Sequence, residues 1–157
     1  MEIAKNIIAE YRRAPEKSKL YLGVDSTRFE RGGQAFARIS IVAVIHLGSS
    51  KGCKVIGYNE TERVYDKNLS KPMHRMMLET YEVSKLYREL EGHIPDIEVH
   101  LDISADVRYG SSCAAKQASG YILGMCQVTP VLKPHAWAAS TCADLFNKKL
   151  NKKVVDS

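Results

Sequence analysis

Four carboxylates, Asp25, Glu79, Asp102 and Asp144, fall on four different stretches of the chain, each inside or beside a regular element. Brought to one place, they would repel one another severely unless cations lay between them. Two divalent ions about 3.5–4 Å apart would meet that need, and would clamp the attacking and leaving oxygens of a phosphodiester. Oxygen donors without a thiolate or imidazole cluster select Mg²⁺ or Mn²⁺ rather than zinc. Spacing alone equally allows four unconnected acids, with Asp102 doing no more than capping a loop. The choice turns on whether the fold makes them converge.

Residues 97–104 put Ile97, Val99, Leu101 and Ile103 on one face of an extended segment, and Glu98, His100 and Asp102 on the other. So apolar a strand predicts an open α/β sheet, whose ligands collect outside the strand ends. Residues 2–13 predict an amphipathic helix, ended by Ala14-Pro15. Residues 19–25 predict a strand, and 26–33, with Arg28, Glu30, Arg31, Gly32 and Gly33, a turn. Strands over 36–47 and 53–65 then complete an antiparallel meander, with a turn at 48–52.

From the N-cap Ser70 a helix runs to Gly92, burying Met73, Met76, Met77, Thr80, Tyr87 and Leu90. Glu79 lies beside that stripe, whereas Glu82, Glu89 and Glu91 read as solvated. A helix over 111–127, whose Ala114, Ala118, Gly120 and Gly124 allow close approach to the sheet, precedes a short strand at 128–133. The last helix, 135–150, puts Trp137, Ser140 and Asp144 on one face, with Trp137 in the core. Right-handed crossovers place the strands 19–25 and 97–104 side by side and parallel. Asp25 and Asp102 then sit at neighbouring strand ends, with Glu79 and Asp144 approaching from helices.

The 157 residues fit one domain over 1–157, with an N-terminal helix in 1–18 and a basic tail at 148–157. No apolar run approaches a membrane span or a signal peptide, so a cytoplasmic location without membrane contact is expected. Cys53, Cys113, Cys126 and Cys142 lie far apart, which argues against zinc or a redox dithiol. The net charge of +5 sits at the two ends, and residues 21–144 are neutral, with fourteen groups of each sign. Without the four acids that body would be basic, which suits a polyanionic phosphate backbone.

The segments Gly23-Val-Asp25-Ser, Glu79-Thr, His100-Leu-Asp102-Ile, Lys133-Pro-His-Ala-Trp-Ala-Ala-Ser140 and Ala143-Asp144 occur in one order. Together they resemble the YkuK-type ribonuclease H-like family, a small bacterial and phage group, over roughly residues 21–149. The resemblance implies the ribonuclease H fold, a five-stranded mixed sheet in the order 3-2-1-4-5 flanked by helices. It also implies a metal-dependent nuclease acting on RNA, DNA or a hybrid through Asp25, Glu79, Asp102 and Asp144. His135 stands where the family pattern has an acid, so the fourth position is open between Asp144 and His135.

Arg28, Arg31, Lys71, Arg75, Lys133 and His135 are candidates for phosphate contact, against the plainer reading of solvated charges. Ser26, His100 and Ser140 are placed behind the acids, where they could bond a carboxylate, and His100 also fits a hydrogen-bonded core histidine. Two competing classes remain: a non-catalytic nucleic-acid-binding or assembly module, and a junction-resolvase-like homodimer rather than a monomer.

Overall fold

The computed structural model describes residues 1–49, 52–65, 73–106, 108 and 112–148. A four-stranded mixed sheet forms the middle layer, in the order β3-β2-β1-β4. The strands are β1, Lys19–Arg31, β2, Gln34–His46, β3, Cys53–Val64, and β4, Ile97–Leu101. β1 and β2 pair antiparallel along their whole length, and β4 runs parallel to β1 from Leu20↔Ile97 to Val24↔Leu101. The helices α1, Glu2–Arg13, and α2, Met73–Leu90, cover one face, and α3, Ser112–Cys126, packs on α2. A final helix, α4, over 137–148, covers the other face.

The main core lies between the sheet and α1 and α2. Leu20, Leu22 and Val24 of β1 and Ile39, Ile41 and Ile45 of β2 are fully buried there against Leu86 and Leu90 of α2. A smaller cluster, Val42, Val44 and Ala143, with Tyr21 and Phe146 beside it, joins the opposite face to α4. β4 ends the described sheet beside β1; Ile97, Val99 and Leu101 face the main core, and Glu98 and His100 face α4.

The 26–33 turn is corrected to strand through Arg31, with Gly32 (φ +59°) and Gly33 (φ +74°) alone as the loop. Two successive residues with positive φ are what a two-residue hairpin of this twist requires, and glycine meets that at no steric cost. The charged residues of 26–31 lie where the hairpin runs past the core, which is why they imitate a loop. The expected fifth strand at 128–133 is reduced to a single parallel bridge, His100↔Val131, so the sheet has four described strands and not five. Pro130 and Pro134 flank that bridge and offer no N–H to a ladder.

Two helical readings also change. The buried small residues of α3 are Ala114, Ala115 and Ala118, whereas Gly120 and Gly124 border open space. Glu82 is buried, and its carboxylate is ion-paired to Lys85 at 2.8 Å. Ser70 and Lys71 lie outside the described residues. Among the described residues no helix is long and apolar enough to cross a membrane.

Candidate functional site

Gly23 fixes how α4 meets the sheet. A Cβ at this position would stand 2.1 Å from the Ala138 carbonyl oxygen, so only glycine lets the helix backbone rest on β1. The contact falls where α4 opens into a π-helical segment, Ala138–Ala143. Such segments are rare insertions, and they re-aim the residues that follow. Here Asp144 follows directly, and Asn147 after it is buried and donates to Thr27 Oγ1 at 2.7 Å.

His100 anchors the same helix from β4. Its Nδ1 accepts the Ala138 N–H at 3.1 Å, which leaves the ring proton on Nε2, facing Glu98 Oε1 at 2.7 Å. The ring is fully buried, with Tyr21 and Trp137 against it. It is a hydrogen-bonded core histidine that ties β4 to α4. Trp137 is 40% exposed rather than core, lying over Tyr21.

Asp25 follows Val24 on β1, and Asp102 follows Leu101 on β4, its paired partner, so the two acids emerge level with each other. Burial pushes the Asp25 carboxyl up to about 6, and the charges of Asp102 and Asp144 push the same way. A backbone N–H at Ser26 and the Asn147 amide pull against them. Glu79 is buried on α2, and burial drives it up to about 8, against the hydrogen bond from Ser26 and with the help of Asp25's charge. Ser26 Oγ donates to Glu79 Oε1 at 2.5 Å, whereas Oε2 is buried without a donor. Asp25 thus feels the charges of Asp102 and Asp144, and Glu79 those of Asp25 and Asp102.

The cations around them are lysines and one arginine. Lys133 Nζ lies 3.1 Å from Asp102 Oδ1, a buried oxygen with no hydrogen-bond donor, and Lys148 Nζ pairs with Asp144 at 2.8 Å. Arg75 is half-buried one turn before Glu79, and its charge opposes the upward shift there. Arg28 alternates to the α2 side of β1, Arg31 is exposed at the hairpin end, and His135 is exposed before α4. Ser140 donates to the Ala136 carbonyl at 3.0 Å.

Beside Lys133 opens a cavity of about 590 Å³, lined by Ser104, Asp106, Arg108, Pro134 and Ser140 among others. Arg108 is held there by a bidentate pair with Asp106, its closest contact being 2.6 Å. Sequence reasoning missed Asn147, Lys148 and Arg108. The first two stand three and four residues after Asp144 on a helix, a spacing that could have flagged them.

The donor chemistry fits a hard divalent cation, because all four acids offer oxygen and, among the described residues, Glu79 Oε2 is buried with no donor and Asp102 Oδ1 has the Lys133 ammonium beside it without a well-aligned hydrogen bond. Among the described residues, however, no three acidic, histidine or cysteine side chains form a ready ligand cluster. What groups the acids is the register of Asp25 with Asp102 and the neighbouring charges felt at Asp25 and Glu79, not a closed coordination shell.

The ribonuclease H-like family matches this chain over residues 2–148. The chain belongs to the ribonuclease H-like family. No curated protein and no solved structure is matched. The family match spans every described element, including α1, which lies before the motifs that carry the resemblance. Ribonuclease H-like membership accords with the mixed sheet and its 3-2-1-4 order; Asp102 follows the end of β4, whereas Asp25, expected at a strand end, lies in the middle of β1 because that strand runs on to Arg31.

Proposed function

We propose that this chain is a metal-dependent nuclease that hydrolyses phosphodiester bonds of nucleic acid. Asp25, Glu79, Asp102 and Asp144 would hold Mg²⁺ or Mn²⁺. The observation that carries the reading is geometric: the β1–β4 register sets Asp25 level with Asp102, and Ser26, next to Asp25, bonds Glu79, while neighbouring acids add to the burial that raises Asp25 and Glu79. Acids gathered against their own repulsion are a mark of functional sites. Divalent ions bound there would activate water and offset charge on the leaving oxygen.

The chain's own residues have separable tasks. Ser26 occupies Oε1 of Glu79 and thereby presents Oε2 to the site. The Asn147 amide steadies Asp25 from α4. Lys133 and Lys148, paired with Asp102 and Asp144, are placed to turn toward phosphate oxygens when a substrate strand lies across the site. Ser104 and Arg108 line the adjoining cavity, which would take the flanking nucleotide.

A second reading, a nucleic-acid-binding module without turnover, is favoured by those lysines, which already neutralise two of the four acids. Cleavage of labelled RNA, DNA, hybrid and four-way junction with Mg²⁺ or Mn²⁺ separates the two. The nuclease reading expects metal-dependent cutting of at least one substrate, reduced about a hundredfold or more by Asp102→Asn. Binding without cutting of any substrate would leave the second reading in its place.

A further inference from the structure

The sheet face that carries Asp25 continues past the site into a patch of which only Arg31 is named above, as a candidate phosphate contact. Strand alternation puts Phe29 and Arg31 on the same face as Asp25. The register brings Phe36 opposite Phe29, Arg38 opposite Thr27 and Arg63 opposite Phe36, so these share that face. The Phe29 and Phe36 rings stack at 5.6 Å, and Arg38 and Arg31 lie over Phe29 at 5.2 and 6.0 Å. Arg63 lies 4.7 Å over the ring of Tyr65, which is 71% exposed.

Charge is sorted between the two faces. Glu30, Glu60 and Glu62 all alternate to the opposite side, so beyond Asp25 these three strands put three guanidiniums and no carboxylate on the face of the patch. A guanidinium stacked on a ring keeps its N–H edge for phosphate, as at Arg31 and Arg63, and the exposed ring of Tyr65 accepts an unpaired base, whereas the half-buried Phe29 and Phe36 form the floor beneath the arginines. Phe29 is four residues from Asp25, about 13 Å along the strand.

We infer that this hairpin face binds a single strand of nucleic acid and leads it to the acidic site. Phosphates meet Arg31 and Arg63, and a base stacks on Tyr65. The inference rests on the nucleic-acid reading proposed above and adds the strandedness of the substrate and the path it takes. A duplex would keep its bases stacked on one another and leave the rings unused.

Fluorescence anisotropy with short labelled single strands of DNA and RNA, and with a matched duplex, tests this in EDTA, where nothing is cut. Arg31→Ala combined with Arg63→Ala is expected to weaken single-strand binding by about tenfold or more. It should also flatten the salt dependence by roughly 1.4, at about 0.7 per phosphate contact. Tyr65→Ser should cost about fivefold, with no charge removed. Lys54→Ala combined with Lys85→Ala removes the same charge away from this face, where both lysines pair with glutamates, and should change binding less than about twofold.

If the arginine and lysine pairs weaken binding equally, the patch is overturned and the acidic site stands. Tighter binding of the duplex than of either single strand overturns the single-strand assignment. Absence of any binding by the unmodified chain overturns the nucleic-acid reading itself.

Discussion

Glu79 carries the heaviest electrostatic load of any residue in the site. Its carboxyl is raised to about 8 chiefly by burial, with Ser26 the strongest opposing contact. A carboxyl raised above its unfolded value stabilises the fold fully below the unfolded pKa of about 4.5, and that contribution is lost as pH rises through about 8. The melting temperature in EDTA should therefore fall between these limits, and Glu79→Gln should flatten the slope in a thermal scan across pH. Ser26→Ala removes the one side-chain hydrogen bond that Glu79 makes among the described residues and should destabilise by about 1–3 kcal/mol, read by urea unfolding. Asp25 and Ser26, expected at a strand end and in a turn, lie within β1, whereas the positions of Glu79 on a helix and Asp102 past a strand end were legible in the sequence. Asn147 was not, because its role depends on how α4 is turned by its π-helical segment.

At the scale of elements, the contact between β1 and α4 decides where Asp144 stands. Gly23→Ala would drive a methyl group into the Ala138 backbone, so α4 must move away from the sheet. The expected result is a loss of about 1–3 kcal/mol or more, together with a shift in the fluorescence of Trp137, the single tryptophan, which lies at the start of α4. A melting curve and an emission spectrum read both. The meander, the crossover helix and the parallel β1–β4 pair follow from hydrophobic period and turn chemistry alone. The hairpin's true length did not, since strand beyond the core loses the apolar alternation that identifies it. The missing fifth strand reflects two prolines whose effect outweighs the β-rich composition of Val128, Val131 and Leu132 between and beside them.

Across the whole molecule the sequence spread its charge in a way that only the fold explains. The neutral middle of the chain becomes a sheet with glutamates on one side of the hairpin and arginines on the side of Asp25. Binding of nucleic acid should accordingly weaken steeply with salt, with a linear dependence of log K on log salt in a titration series. Asp25 and Glu79 are raised partly by the charges of neighbouring acids, so a divalent ion that binds only the folded state there should raise the melting temperature most at high pH, where Glu79 is ionised.

The most direct measurement is calorimetric titration of Mn²⁺ into the unmodified chain and into Asp102→Asn. A four-acid cation site predicts saturable binding at about millimolar Mn²⁺ or below in the first and its loss in the second. Equal heats from both, or no binding in either, would contradict it.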